Sequence, residues 1–225
     1  MLKYLFLFLF PLSVIQVEPQ LFFRIKTDFT IKAKSPTGEQ HLTVGKIYYD
    51  KNVKQIVYDV SFPEKEIWVQ RDTVLYKIVN SKVIDKQRIP AGIEFSIYNL
   101  VLNGNLNDYG LKKTRFTIRK VEKNDNSVIS TWEPPLEFKK YFGDILLSIV
   151  DQKLNGIVFK NNAGEVVSRQ FFRNYIKVNG LSFPQEIYRE IFIKGQKDIE
   201  LTTFTNILVN DLSGENNYDF KIPSN

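Results

Sequence analysis

Hydrophobic and polar side chains alternate most cleanly over residues 23–33, FRIKTDFTIKA. Phe23, Ile25, Phe29 and Ile31 occupy odd positions, whereas the even positions between residues 24 and 32 are polar or charged. Because successive side chains of a strand point to opposite faces, this pattern predicts a strand with one dry face and one solvated face. Its length exceeds the usual five or six residues, which favours a strongly twisted sheet or an open barrel.

Similar stretches along the rest of the chain predict a mainly β fold, a meander of ten to twelve antiparallel strands on short turns. The helical spacing of Ile97, Leu100 and Val101 within residues 94–106 predicts one or two short helices that form a lid or plug. Residues 216–222 are a candidate for a last short strand. The other predicted strands span residues 42–49, 55–62, 67–70, 72–79, 114–123, 127–132, 145–150, 154–159, 166–178, 186–194 and 201–208.

The first sixteen residues, MLKYLFLFLFPLSVIQ, have one cation, Lys3, followed by an apolar core. A basic start and a core too short to span about 30 Å of hydrocarbon predict a secretory signal peptide at residues 1–16. No A-x-A pattern marks the cleavage site, which we place between residues 15 and 20, and an uncleaved membrane anchor is the alternative. Residues 17–225 then form a single domain of an ordinary size for an all-β fold.

The amino-acid composition excludes several kinds of functional site. The chain has no cysteine and one histidine, which excludes thiol nucleophiles, disulfides and Cys/His zinc sites and leaves a serine triad dependent on His41. No phosphate-binding glycine loop or nucleophile elbow occurs, so we expect no catalytic residue, metal or cofactor. The net charge of +6 is spread along the strands, and we expect no nucleic-acid partner. An exported hydrolase that uses carboxylates such as Glu133, Glu137, Asp144 and Asp151 remains an alternative.

The 18 phenylalanines, 11 tyrosines and 2 tryptophans point to an aromatic interior. On one side of a curved sheet these residues would make either a filled core or a concave apolar cavity. The predicted helical residues are too few to cover all of that surface, which favours the cavity. The candidate ligand-binding residues are Phe23, Ile25, Phe29, Ile31, Ile47, Tyr49, Ile56, Tyr58, Phe62, Phe116, Ile118 and Trp132.

Short motifs occur in the same order as in a known family. They are GKIYY at residues 45–49, a stretch from Tyr58 to Pro63, one from Trp68 to Tyr76, GEVVSRQF at 164–171, GLSFP at 180–184, FTNILVN at 204–210 and YDFKIP at 218–223. This series resembles the periplasmic outer-membrane lipoprotein carriers, the LolA/LolB-like proteins. The resemblance covers most of residues 17–225.

The resemblance implies an unclosed antiparallel β-barrel with a helical lid, whose apolar cavity receives acyl chains of lipoproteins or other lipids. It also implies a monomer in the periplasm that exchanges cargo with transfer proteins of the inner and outer membranes. Two features depart from the family: Val57 stands where the carriers keep a lid-latching arginine, and the first strand comes directly after the leader without a preceding helix. The alternative is a non-catalytic envelope interaction module with a filled core.

Overall fold

The computed structural model describes residues 21–89 and 92–224. The signal peptide predicted at residues 1–16 lies outside this part of the chain. Within it, thirteen strands form one antiparallel sheet. They are β1 (Arg24–Lys34), β2 (Gln40–Asp50), β3 (Gln55–Phe62), β4 (Glu66–Arg71), β5 (Val74–Val79), β6 (Lys82–Arg88), β7 (Thr117–Asn124), β8 (Ser127–Glu133), β9 (Ile145–Val150), β10 (Lys153–Lys160), β11 (Val166–Val178), β12 (Leu181–Ile193) and β13 (Gln196–Val209).

The order of the strands shows that the sheet is open. It runs β6-β5-β4-β3-β2-β1-β13-β12-β11-β10-β9-β8-β7, so β1 and β13 are central neighbours, and β6 and β7 are the two edges. The segment that joins the edges contains two single 3₁₀ turns (Ile93–Phe95 and Leu111–Lys113) around the helix α1 (Ile97–Leu102). The mainly β, unclosed barrel with short helices is therefore confirmed.

The two ends of the strands are different environments. Connections in an antiparallel meander alternate between ends. The turns β1–β2, β3–β4, β10–β11 and β12–β13 and the loop between β8 and β9 therefore lie at one end, which we call the upper end. At the lower end, the Tyr49 hydroxyl donates a hydrogen bond to Asn99 Oδ1 (2.8 Å), and Asn107 Nδ2 donates to the carbonyl of Gln152 (3.0 Å). These bonds hold the helical segment against the lower half of the inner face.

The main core lies between this segment and the inner face of the sheet. Tyr98 of α1 stacks on Phe183 (6.5 Å between ring centroids) and meets Phe204 edge to face (6.0 Å). Residues of β1, β2, β8 and β10 join the same buried cluster, among them Ile25, Ile47 and Trp132. The sheet must therefore curve around the segment, because strands from both halves touch one core.

A second, smaller cluster lies on the outer face. The helix α2 (Glu215–Tyr218) and residues 219–224 cover β2 and β3, and the ring of Tyr218 meets that of Tyr48 edge to face at 5.4 Å. Val57, which matches the position of the family's arginine, is buried in this cluster, on the face opposite to the main core.

Two details of the sequence prediction were wrong. Residues 216–222 form α2 and irregular chain instead of a strand, because they come after β13, whose two edges already pair with β1 and β12. The sheet has thirteen strands rather than ten to twelve, and β6 was the strand that was missed. This edge strand is largely exposed and carries mostly polar residues, so alternation does not mark it.

Candidate functional site

A cavity of about 450 Å³ remains between the inner face of the sheet and the helical segment. This volume is within the range of about 300–1,000 Å³ that is usual for small-ligand sites. Its wall combines aliphatic and aromatic side chains with a few polar ones. The lining residues are Phe29, Ile31, Ile47, Tyr58, Trp68, Gln70, Leu75, Ile89, Gly92, Phe95, Ser96, Ile97, Tyr98, Tyr109, Gln170, Phe172, Ile187, Arg189, Glu200, Thr202 and Phe204.

Aromatic rings form much of the wall. The ring of Tyr58 meets Phe29 edge to face at 5.8 Å and lies 6.1 Å from Trp68, while Tyr109 packs near Phe172 at 6.2 Å. Burial raises the pKa of both Tyr58 and Tyr109 to about 12, and the charge of Glu200 adds to the shift at Tyr58. The phenols are thus neutral at physiological pH and present an uncharged, rigid surface.

On the wall formed by β11, β12 and β13, residues paired across the three strands form rows. One row is polar, and the next row is mostly apolar. Gln170, Arg189 and Glu200 are cross-strand partners, and an Arg189 guanidinium nitrogen donates to Glu200 Oε2 at 2.7 Å. One row nearer the lower end, Phe172 pairs with Ile187, which pairs with Thr202. This wall of the cavity is therefore polar towards the upper end and mostly apolar below it.

The twelve residues predicted from the sequence fall into three groups, of which the first lines the cavity. Phe29, Ile31, Ile47 and Tyr58 belong to its wall. A second group lies in or against the packed core beside the cavity or at the start of β1. These are Ile25, Tyr49, Ile56 and Trp132, all buried, and Phe116 and Phe23, both half-buried.

Phe62 and Ile118, the third group, lie outside the cavity. A β-bulge between Val44/Gly45 and β3 leaves Ser61 unpaired and places Phe62 opposite Val44, which turns its ring to the outer face, where it is 48% exposed. Ile118 lies on β7, an edge strand whose residues are all exposed.

Sequence reasoning missed the wall built by β11, β12 and β13. Apolar residues occur at both odd and even positions of residues 166–178, so alternation does not identify the inner face there. The sequence of β13 did contain a usable pattern, because Glu200, Thr202 and Phe204 are alternate residues and therefore lie on one face of the strand. Nothing in the sequence, however, shows that β13 pairs with β1.

The carboxylates considered for hydrolysis are already engaged by other groups. Glu133 pairs with Lys139 (3.1 Å), Asp144 with Arg119 (2.5 Å) and Glu137 with Arg115. In residues 21–89 and 92–224, no group of three or more His, Asp or Glu side chains is placed to hold a metal ion. No helix in those residues is long and apolar enough to cross a membrane.

The fold is similar to that of several solved structures. A LolA superfamily protein from Nitrosomonas europaea matches with a TM-score of 0.59 at 13% identity, over 86% of this chain and 89% of that one. A DUF1329 family protein from Desulfovibrio piger gives a TM-score of 0.60 at 11% identity, over 87% and 89%. A domain from Vibrio parahaemolyticus assigned to outer membrane lipoprotein sorting gives 0.58 at 9% identity, over 88% and 90%.

At the level of sequence, no protein-family model and no curated protein matches the chain. The structural matches cover most of both partners in each comparison. The chain therefore has the LolA-like fold, as its motifs predicted. Identities of 9–13% extend this likeness to the fold alone.

Proposed function

We propose that this protein is a non-catalytic carrier that binds acyl chains of lipoproteins or other lipids in this cavity and moves them between membranes of the envelope. The observation that carries the proposal is the cavity itself, an unfilled space of about 450 Å³ with aromatic and aliphatic walls in an otherwise packed core. The LolA-like fold of proteins assigned to lipoprotein sorting supports it.

The chemistry of the wall suits a carrier. An acyl chain gains about 0.8 kcal/mol for each methylene group that leaves water, without any directional bond. Such binding is strong enough to solubilise a chain and weak enough to release it to a membrane. In this proposal the leader directs the protein to the periplasm, and membrane proteins on either side deliver and accept the cargo.

The loop between β8 and β9 favours a second function, an interaction module for another envelope protein. Leu136 is 82% exposed, Tyr141 63% and Phe142 54%, and Phe138 packs against Phe142 at 6.4 Å. Exposed apolar side chains concentrated in one loop are a feature of protein contact sites. In this alternative the cavity is empty in use and the loop makes the contact.

Native mass spectrometry and lipid extraction of protein purified without detergent from an exporting host distinguish the two functions. A carrier is expected to retain acylated molecules at close to one per chain. Substitution of Ile31 by Glu places a carboxylate in the cavity wall and should abolish retention. The matched change Leu136→Glu, in the exposed loop, should leave it intact.

A protein that is free of lipid as purified, and that takes up none on incubation with acyl lipids, would overturn the carrier proposal. The interaction module would instead be established if the wild-type protein is free of lipid and binds a protein partner that the Leu136→Glu variant does not bind. Thermal unfolding of each variant shows whether a loss of binding reflects a loss of fold.

A further inference from the structure

The polar row on the cavity wall has an unusual charge arrangement for an apolar pocket. Arg189 and Glu200 form one ion pair, so the row carries both signs and no net charge. The side chains are 37% and 27% exposed, and Gln170 adds an uncharged amide beside Arg189. Donor and acceptor groups are thus both present on one side of the cavity wall.

The ion pair leaves hydrogen-bonding capacity on each partner. Arg189 Nε is buried and has no hydrogen-bond partner among the described residues, although its guanidinium also binds Glu200. Glu200 Oε1 receives only a long hydrogen bond, from the Thr202 hydroxyl at 3.4 Å. Burial closes Nε itself to a ligand, but the exposed parts of the Arg189 and Glu200 side chains can still form hydrogen bonds with one.

The order of the rows fixes how an amphiphile would lie. The row containing Phe172, Ile187 and Thr202 is two residues further along each strand towards the lower end, about 6–7 Å away. An acyl chain placed on this deeper row brings its first polar atoms beside Arg189 and Glu200. In that pose the wall would contact the head of the ligand as well as its chain.

We propose that Arg189, Glu200 and Gln170 select acyl ligands with an uncharged head of ester, amide and hydroxyl groups, such as an acylglycerol, over ligands with a free carboxylate or an ammonium group. The inference rests on the proposed carrier function and names its ligand class. An ester carbonyl accepts from an Nη–H group of Arg189, whose side chain is partly exposed in the wall, and a hydroxyl donates to Glu200 Oε1. A charged head beside this pair meets one attractive and one repulsive charge, so it gains no net attraction to offset the loss of its hydration.

Three ligands with the same chain and different heads test the selection: glyceryl monolaurate, laurate and dodecyltrimethylammonium, each below its aggregation limit at about pH 8. Displacement of an apolar fluorescent dye gives their affinities for the full protein. We expect wild-type protein to bind glyceryl monolaurate about tenfold more tightly than either charged ligand. Glu200→Gln leaves a net positive row and should raise laurate affinity about tenfold, while Arg189→Met should do the same for the ammonium ligand.

Glu190→Gln is the control for net charge, because Glu190 lies on the same strand as Arg189 but outside the cavity lining, where it pairs with Lys197 (3.0 Å) and Arg169 (3.6 Å). This variant changes the net charge of the protein as Glu200→Gln does and should not change the ranking of ligands. Equal binding of all three heads by wild-type protein, or equal effects of the two glutamate variants, would overturn the inference and leave the carrier function standing. Failure of all three to bind would overturn both, and the wild-type ranking decides the question if a variant does not fold.

Discussion

Arg24 Nε donates a hydrogen bond to Asp50 Oδ2 at 2.6 Å on the outer face of the sheet, with only 10% and 3% of the two side chains exposed. The guanidinium also lies 4.6 Å from the ring centre of Tyr218, so the C-terminal segment covers the pair. Hydrogen bonding to Asp50 raises the pKa of Arg24. Asp50 Oδ1 accepts from the amide of Asn52 (2.7 Å), which ties the β2–β3 turn to the same pair.

Asp50→Ala is expected to reduce the free energy of unfolding by up to about 3–5 kcal/mol, because it leaves the buried Arg24 charge with only its longer contact to the exposed Glu215 (3.3 Å). Urea unfolding measures the change. The control is Glu122→Ala, which removes the exposed pair of Glu122 with Lys120 (2.8 Å) and should cost less than about 1 kcal/mol. Equal losses of unfolding free energy in the two variants would show that the buried pair stabilises the protein no more than the exposed pair does.

Gly45 is expected to tolerate no side chain. A Cβ atom there would lie 2.3 Å from the carbonyl oxygen of Asp59 and 2.9 Å from Val60 Cα, both of them backbone atoms that cannot turn aside. Gly45→Ala should therefore destabilise the protein by about 1–3 kcal/mol through overpacking. Val44→Ala, at the neighbouring position, adds no atoms and serves as the control. A Gly45→Ala protein with the wild-type urea midpoint would contradict this prediction.

Tyr58 and Phe62 make a matched pair for the cavity, since both are on β3 and only Tyr58 lines it. Tyr58→Asp should lower the affinity for an apolar dye by at least about tenfold, because the buried carboxylate needs water that the ligand excludes. Phe62→Asp, on the outer face, should leave dye binding unchanged. Dye fluorescence with thermal unfolding measures both effects, and a loss of binding at Phe62 alone would place the ligand elsewhere.

Stability should fall in strong alkali because of the buried tyrosines. The pKa of Tyr109 is raised to about 12, mainly by burial, whereas an unfolded tyrosine titrates near pH 10. Between these values the folded chain holds a proton that the unfolded chain has lost. The contribution of Tyr109 to stability is thus complete below about pH 10 and is lost as the pH rises to 12, a change of roughly 2–3 kcal/mol.

Urea unfolding at a series of pH values from 9 to 12 tests this slope. Tyr109→Phe keeps the ring and removes the ionisable group, so its free energy of unfolding should depend less steeply on pH than that of the wild type. Identical slopes for the two proteins would assign the alkaline loss to other groups. Tyr58→Phe gives an independent repeat, since the pKa of Tyr58 is also raised to about 12.

The sequence predicted the inner face of the N-terminal strands well, because alternation along a strand reports directly on burial. Phe29, Ile31, Ile47 and Tyr58 were chosen on this basis, and all four line the cavity. The same rule failed at Phe62, where one extra residue in β3 reverses the face on which the end of the strand places its side chains. A bulge of this kind leaves no mark in the order of polar and apolar residues.

The outer face was misjudged for a different reason. Arg24 was expected on a solvated face but is buried, because the segment after β13 lies across it. Tyr48 and Val57 are apolar for the same reason, although each alternates with an inward residue. Alternation assumes that only one face of a sheet is covered, and no local pattern announces that a distant part of the chain covers the other.

Because β1 and β13 are central neighbours in the sheet, the fold can be completed only after most of the chain has been synthesised. Strands β1 to β6 and β7 to β13 each pair with their neighbours in sequence, and only the β1–β13 seam, where Ile25 meets Val209, joins the two halves. Contacts between such distant residues form slowly. Until β13 has left the ribosome, the β1–β13 seam cannot form and the two halves of the sheet cannot close around one core.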